Sequence, residues 1–263
     1  MDHFLQEQAI AEILNQGWIE HIDWQESVDS TNAVARRYCQ DQSAGLPALF
    51  VADQQTAGKG RSQNSWWSPA GCLMFTLALP ESSLRPEPNE WSQLALVAGV
   101  ALVHLAQEFL SGNDPQLKWP NDLYLSDKKC AGILIESAAN SSWLIGIGLN
   151  VNVDFAEAPR EIQDRATSFQ SQAGLEDLVL PTVLASLITH LHRTIDSWSS
   201  GQDAWQSTWQ EHCLLTGKQV LVRPPGSEPI LGVCESIDAS GCLLLRTLEG
   251  VIKITSGEIL EWH

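Results

Sequence analysis

The chain has 263 residues, 44% of them hydrophobic and 18% charged, which is enough for one large domain or for a main domain with a small partner. The 32 acidic residues outnumber the 15 lysines and arginines, and the formal net charge of -17 disfavours nucleic acid as a partner because a polyanion repels it. No C-x-x-C pair, signal peptide or membrane-length apolar run is present, so we predict a soluble, cytoplasmic protein with free thiols and no membrane partner.

Apolar periodicity predicts three helices and two strands in the first 110 residues. The first helix is predicted over residues 4–14, the second begins after a capping hydroxyl at Ser30, and the third covers residues 91–110. The strands are predicted over residues 48–52 and 72–79. The third helix is apolar on nearly all sides, which indicates that it is buried. Residues 55–65 are polar and lack periodicity, so we predict a loop there.

The middle of the chain is predicted to form a hairpin, a loop and a long helix. Residues 129–137 and 143–153 are apolar stretches on either side of Asn140-Ser141, which predicts two buried strands joined by a turn. Residues 156–174 are polar and irregular, and we expect a mobile loop. An apolar helical face runs over residues 183–198 and is expected to continue, after a break, to Trp209.

Short strands dominate the last fifty residues. They are predicted over residues 219–222, 230–237, 243–247 and 251–255, with turn residues between them. This spacing is typical of a small antiparallel barrel. We place the domain boundary near residues 213–217, so that the main domain comprises residues 1–212 and the barrel residues 213–263.

A basic, glycine-containing loop is the first candidate for chemistry. Gly58 and Gly60 allow close approach of the backbone to a ligand, and Lys59 and Arg61 add positive charge beside them. Such a loop suits phosphate binding, although a solvated surface loop has a similar sequence. It is not a P-loop, because the G-x-x-x-x-G-K-[ST] pattern is absent.

Two further segments place lysines beside polar groups. Lys118-Trp119-Pro120-Asn121-Asp122 forms either a plain turn or a site where Lys118 handles phosphate and Asp122 holds Mg²⁺. Lys129 begins an apolar strand, where its ammonium could neutralise a substrate carboxylate or a phosphate, unless it is simply solvated.

Alternating glycines mark the fourth segment. Gly146 and Gly148 leave room for a flat group against a strand, and Asn150 could pair with the edge of an adenine. Close packing of another backbone is the alternative explanation.

Together these segments resemble the biotin–protein ligase family. The similarity spans roughly residue 27 to the C-terminus and rests on K-W-P-N-D, K-x-A-G-I-L and G-I-G-x-N in this order, with Ser30-Thr31-Asn32 and Ser256-Gly257-Glu258. It implies an α/β (α+β) catalytic domain related to class II aminoacyl-tRNA synthetases, followed by an SH3-like barrel. It also implies an ATP-dependent ligase that forms biotinyl-5′-AMP, uses Mg²⁺, and transfers biotin to a lysine of the biotin carboxyl carrier protein of acetyl-CoA carboxylase. A monomer and a homodimer both remain open.

The resemblance also implies roles for individual residues. The residues implied in biotin binding are Ser30, Thr31, Asn32, Gln55, Lys59, Gly60, Arg61, Lys129 and Gly132. Those implied in binding ATP and the adenylate are Arg61, Trp66, Asn121, Lys129, Gly148 and Asn150. Those implied in catalysis are Lys129, Arg61, Lys118 and Asp122, and Asp122 is also the implied Mg²⁺ ligand.

The chain departs from the family pattern in two places. The family loop usually reads G-R-G-R and then continues with basic residues, whereas Lys59 replaces the first arginine here and Ser62-Gln63-Asn64-Ser65 follow. Lysine lacks the planar bidentate fork of arginine, so ATP affinity and loop closure are expected to differ. Only about thirty residues precede Asn32, too few for the winged helix-turn-helix of the repressor members, and we predict a ligase without repressor function.

Three rival interpretations stand beside this one. A lipoate–protein ligase shares the fold and the reaction type, but K-W-P-N-D and the short-strand tail favour the biotin enzyme. A biotin-sensing transcription regulator would need a basic DNA-binding module. An SH3-like interaction protein would leave the charged residues of the four segments unexplained.

Overall fold

The computed structural model describes residues 3–41, 43–61, 64–84, 92–174 and 177–263. The helices are α1 (His3–Asn15), α2 (Thr31–Tyr38), α3 (Leu94–Phe109), α4 (Arg160–Gln163), α5 (Phe169–Ala173), α6 (Leu180–Ser199) and α7 (Ala204–Glu211). The strands of the large sheet are β1 (His21–Val28), β2 (Ala48–Gln55), β3 (Cys72–Pro80), β4 (Gln116–Lys118), β5 (Asp122–Leu125), β6 (Lys128–Ala138) and β7 (Ser142–Asn150). Those of the small sheet are β8 (Gln219–Arg223), β9 (Ile230–Ile237), β10 (Leu243–Thr247), β11 (Gly250–Ile254) and β12 (Glu258–Trp262).

The large sheet has the strand order β1-β2-β3-β7-β6-β5-β4. Its first two strands are parallel and all the other neighbours are antiparallel. The β6–β7 hairpin turns at Asn140 and Ser141, which both have positive φ, as a tight hairpin turn requires. This confirms the predicted hairpin.

The two faces of the large sheet have different coverings because side chains alternate along each strand. Odd-numbered residues such as Phe75, Ile145 and Ile147 pack into the main core, together with α3 and α6. Even-numbered residues face the other way, where α2 covers Phe50, Ala78 and Leu144. Beyond α2 this second face carries small residues, which leaves space above the sheet.

The small sheet, in the order β11-β10-β9-β8-β12, is antiparallel throughout, and one of its turns forms hydrogen bonds with the main domain. The Trp119 indole donates a 3.1 Å hydrogen bond to the carbonyl of Gly241, and Gln93 and Gln206 donate to the carbonyl of Ala239. Gly241 has a φ of +82°, and a β-carbon there would overlap the side chain of Leu96. A close approach of the two parts therefore depends on this glycine.

The predicted mixed fold and the C-terminal antiparallel sheet are confirmed, but two local predictions are wrong. Residues 156–174 are not a featureless loop, because they contain α4 and α5, and α5 is fixed by a Ser168–Ser171 capping box and by the fully buried Phe169. Ser30 occupies the N-cap position of α2, but its side chain makes no capping hydrogen bond.

Four observed strands were not predicted. β1, β4 and β5 are only partly apolar or very short, and two glutamates interrupt the apolar residues of β12, so none stands out as a hydrophobic run. The third helix begins at Leu94, and Trp91, where it was predicted to start, lies outside the described residues. None of the described helices is long and apolar enough to cross a membrane.

Candidate active site

A cavity of about 390 Å³ opens on the second face of the large sheet, next to the first turn of α2. Fourteen of the fifteen residues implied by the family resemblance line it. They are Ser30, Thr31, Asn32, Gln55, Lys59, Gly60, Arg61, Trp66, Lys118, Asn121, Asp122, Lys129, Gly132 and Gly148. Segments that are far apart in the sequence therefore form one site.

Uncharged polar groups form one end of the cavity. Ser30, Thr31 and Asn32 begin α2, and each is at most 5% exposed. The backbone N–H of Thr31 donates a 2.8 Å hydrogen bond to the side-chain oxygen of Gln55, which ends β2. A ligand group at this end must be able to make hydrogen bonds, because buried polar atoms without partners are costly.

The floor of the cavity is made by the glycines of β6 and β7, and an indole lies directly on it. A β-carbon at Gly148 would overlap the Trp66 ring, and one at Gly132 would press on its edge. The predicted room for a flat group against the strand is confirmed, and in this structure the chain's own Trp66 occupies it. Its indole N–H points at the sulfur of Cys72, 3.5 Å away.

Cations cluster at the other end of the cavity. The Lys129 ammonium lies 2.7 Å from the Asp122 carboxylate, and the Arg61 guanidinium donates to the side-chain oxygen of Asn121 at 3.3 Å. Asn121 is itself held by a 2.7 Å hydrogen bond to the carbonyl of Ile133. This end can accept an anionic group such as a phosphate.

Lys118 lies deeper in the same end. Its ammonium lies 3.9 Å from the ring centre of Trp262, a barrel residue, and 5.7 Å from that of Tyr124. Burial lowers the pKa of Lys118 to about 8, although the nearby Asp122 carboxylate opposes the shift. The charge of Lys118 is therefore expected to change close to neutral pH.

The cysteines near the floor are not suited to nucleophilic catalysis. Burial raises the pKa of Cys72 to about 12, and it also raises the pKa of Cys130 well above its ordinary value. Both thiols therefore stay protonated at neutral pH, and a protonated thiol is a weak nucleophile.

The barrel contributes a wall that sequence reasoning did not assign. Arg223, at the end of β8, and Glu258, at the start of β12, line the cavity, and their charged groups are 3.9 Å apart. Glu258 had been noted only as part of the family pattern, and Arg223 had not been singled out. An arginine before a Pro-Pro-Gly turn carries no signal that would place it beside a cavity of another domain.

Asn150 is the one implied residue that the structure does not bring into the cavity. It is 5% exposed, and its side-chain N–H donates a 3.1 Å hydrogen bond to the carbonyl of Thr167. This bond ties the end of β7 to the segment before α5. The contact between Asn150 and an adenine edge stays a prediction.

Comparisons with known proteins agree with this description. Residues 24–154 match the biotin/lipoate A/B protein ligase family, and residues 215–260 match the biotin protein ligase C terminal domain. The bifunctional ligase/repressor BirA of Bacillus spizizenii is 33% identical over 246 residues, which cover 91% of this chain and 74% of that protein. The biotin–[acetyl-CoA-carboxylase] ligase of Paracoccus denitrificans is 31% identical, covering 88% of this chain and 96% of that protein.

A solved structure shows the same fold. The biotin protein ligase from Aquifex aeolicus in complex with biotin and ATP aligns with a TM-score of 0.80 at 28% identity, and the alignment covers 93% of this chain and 99% of that chain. The two family matches fall on the large sheet and on the small sheet, respectively.

Proposed function

Because the chain belongs to the biotin protein ligase family, we propose that it activates biotin with ATP to give biotinyl-5′-AMP and then transfers biotin to a lysine of a biotin carboxyl carrier protein. The single observation that carries the proposal is the polarity of the cavity. One end offers uncharged hydrogen-bonding groups, and the other offers the cations Arg61, Lys118 and Lys129. This matches a ligand with a neutral polar ring at one end and phosphates at the other.

The uncharged end favours biotin over lipoate as the acyl substrate. The ring of biotin is a urea, which can pair with the groups of Ser30, Thr31 and Asn32. The dithiolane ring of lipoate has no strong hydrogen-bonding group and would leave these buried groups without partners.

The residues at the cationic end suit attack of a carboxylate on the α-phosphate of ATP. Lys129 can hold the biotin carboxylate and the phosphate oxygens together, and Arg61 can stabilise the charge that develops during the attack. The new bond joins the carboxylate oxygen to phosphorus as pyrophosphate leaves. Attack by the acceptor lysine on the acyl carbon then releases AMP, and no protein nucleophile is needed.

The mixed anhydride has to be protected from water between the two steps. We assign this task to residues 55–67, because their described members Lys59, Gly60, Arg61 and Trp66 line the cavity. Lys59 carries the same charge as arginine in the family pattern, but it can make only single-point contacts with a phosphate.

Mg²⁺ would neutralise phosphate charge when bound with ATP. Asp122 is the residue that would hold it, since its carboxylate lies in the cavity between the phosphate-binding lysines. This donor fits Mg²⁺, which usually takes one or two carboxylates and completes its shell with phosphates and water. No cluster of three acidic, His or Cys side chains that could hold a metal occurs among the described residues.

We further propose that these 263 residues act as a ligase and not as a DNA-binding repressor. The net charge of -17 opposes contact with a phosphate backbone. The acceptor is proposed to be the carrier protein of acetyl-CoA carboxylase, as the name of the Paracoccus denitrificans relative indicates for that protein.

Biotin-dependent exchange of ATP with pyrophosphate tests the first half-reaction, with lipoate measured in parallel. We expect exchange with biotin and none with lipoate. Lys129→Ala should lower the exchange rate by about 100-fold or more, because it removes a charge that acts on the transition state. Lys128→Ala is the matched control, since Lys128 does not line the cavity. Exchange with lipoate alone, or an equal loss in both variants, would contradict the proposal.

A further inference from the structure

Two residues outside the cavity connect to its uncharged end through a chain of hydrogen bonds. Thr76 is fully buried on β3, and Glu136 lies on β6, and neither is among the residues that line the cavity. The Asn32 side-chain N–H₂ donates to Glu136 at 2.7 Å. The Thr76 hydroxyl lies 2.6 Å from the Asn32 side-chain oxygen and 2.8 Å from the Thr31 hydroxyl.

Glu136 determines which group donates and which accepts in each of these hydrogen bonds. A carboxylate only accepts, so Asn32 must present its N–H₂ group to Glu136 and its oxygen to Thr76. Arg36 forms an ion pair with the other carboxylate oxygen at 3.1 Å. The amide oxygen of Asn32 cannot donate, so the single proton of Thr76 is donated to it.

Thr31 must then donate its own proton to Thr76, because Thr76 has none left for the bond between the two hydroxyls. The Gln55 side-chain oxygen lies 3.3 Å from the Thr31 hydroxyl and accepts instead from the Thr31 backbone N–H at 2.8 Å. The Thr31 oxygen therefore faces the cavity only as an acceptor. Asn32 keeps a second N–H, for which the described part of the chain supplies no acceptor.

We propose that Thr76 and Glu136 are positioning residues that set the hydrogen-bonding polarity of the cavity, so that Thr31 accepts from a ligand N–H while Asn32 donates to a ligand carbonyl. This inference rests on the proposed function, because it names the ring chemistry that the same site selects. A cyclic urea carries N–H donors beside a carbonyl acceptor and is complementary to this arrangement. Gly146 makes room for the Asn32 side chain in this arrangement, since a β-carbon there would overlap the side-chain oxygen of Asn32.

Glu136→Gln should reverse the donor and acceptor roles along this series of hydrogen bonds, while hardly changing the side-chain volume. Arg36 draws the new carboxamide oxygen, so the carboxamide N–H₂ faces Asn32 and turns the Asn32 amide around. Thr76 then accepts from Asn32 and donates to Thr31, which leaves the Thr31 proton pointing at the ligand. We expect biotin affinity to fall by about 10- to 100-fold, because the Thr31 hydroxyl and a ligand N–H would then both be donors and could not form a hydrogen bond.

Arg36→Met is the matched control, because it removes the neighbouring charge and keeps the carboxylate. Biotin affinity should stay within about twofold of the parent value. In the double variant Arg36→Met/Glu136→Gln, the carboxamide is free to turn its oxygen to Asn32, so most of the lost affinity should return. A role of Glu136 in packing alone would predict no such recovery.

Two variants test Thr76, which lies between Asn32 and Thr31 in this series of hydrogen bonds. Thr76→Val keeps the shape and removes the hydroxyl, so it should weaken biotin binding by about tenfold. Thr76→Ser keeps the hydroxyl and should bind like the parent. Folding of every variant is checked by its thermal midpoint, and ATP affinity should be unchanged in all of them.

The decisive measurement is isothermal titration of each variant with biotin and with 2-iminobiotin at pH 7. Iminobiotin has a protonated C=N group, a donor, in place of the urea carbonyl. The parent should strongly prefer biotin, and Glu136→Gln should reduce that preference by about tenfold, a change that loss of packing would not produce. An unchanged preference in Glu136→Gln overturns the inference while the ligase assignment stands, whereas no binding of biotin by the parent overturns both.

Discussion

At the scale of single residues, Lys118 and Lys129, two of the three lysines that line the cavity, differ in their surroundings. Lys129 lies 2.7 Å from the Asp122 carboxylate, whereas Lys118 is packed against the rings of Trp262 and Tyr124. Burial among these aromatic rings is what lowers the pKa of Lys118 to about 8. A lysine that must be charged to hold a phosphate is thus close to losing its proton.

The pH dependence of the KM for ATP should reveal the loss of charge on Lys118. Below pH 8 Lys118 is protonated and attracts the phosphates, and above pH 8 the charge is lost, so the KM for ATP should rise by about tenfold between pH 7 and pH 9.5. Lys118→Arg keeps its charge throughout this range and should show a flat KM. Steady-state kinetics at saturating biotin measure both, and parallel profiles would show that another group causes the change.

At the scale of an element, strand β7 contributes two glycines, Gly146 and Gly148, to the lining of the cavity. Gly146 and Gly148 lie on the same face of the strand, two residues apart, and they meet different side chains. A β-carbon at Gly146 would overlap Asn32, in the uncharged end, and one at Gly148 would overlap the Trp66 indole. The strand therefore supports both ends of the site with the smallest residue.

Alanine at each position should separate the two effects. Gly146→Ala should raise the KM for biotin by about tenfold and leave the KM for ATP nearly unchanged, because only Asn32 has to move. Gly148→Ala should raise the KM for ATP by about tenfold and leave the KM for biotin nearly unchanged, because only Trp66 has to move. Each variant serves as the control for the other, and an equal effect of both on both substrates would indicate a general distortion of β7.

At the scale of the whole molecule, the barrel contributes to the cavity from 75 residues beyond Gly148, the last main-domain residue that lines it. The hydrogen bond from Trp119 to Gly241 holds one barrel turn against the main domain, and Arg223 and Glu258 then reach the cavity from the same side. Trp119 belongs to the same segment as Lys118 and Asp122. Residues 118–122 therefore take part both in docking the barrel and in forming the cationic end of the cavity.

Arg223 should contribute to ATP binding, because its side chain lines the cavity. Its side chain is half-exposed, so Arg223→Ala should raise the KM for ATP by only about five- to tenfold, with the KM for biotin unchanged. Arg246→Ala is the matched control, because Arg246 is also an exposed barrel arginine but pairs with Glu235 away from the cavity. Equal kinetics for the two variants would exclude Arg223 from the site.

The amino-acid sequence by itself determined the long or strongly periodic elements and the segments that carry the chemistry. α3, α6, the β6–β7 hairpin and four barrel strands follow from apolar spacing, because spacing reports which side chains share a face. The glycines, lysines and polar residues of the site could be singled out because their types alone limit what they can do. The domain boundary between residues 212 and 213 stays a prediction.

Only the tertiary structure decided which of these groups face the ligand. Asn150 donates to the carbonyl of Thr167, Trp66 lies on Gly148, and Arg223 reaches the cavity from the small sheet. The hydrogen bonds that connect Glu136 through Asn32 to Thr76 could not be predicted either, since they join residues on different elements. Local spacing encodes the face of a helix or strand, whereas these contacts depend on how distant elements pack, which is set by the sum of many weak interactions across the molecule.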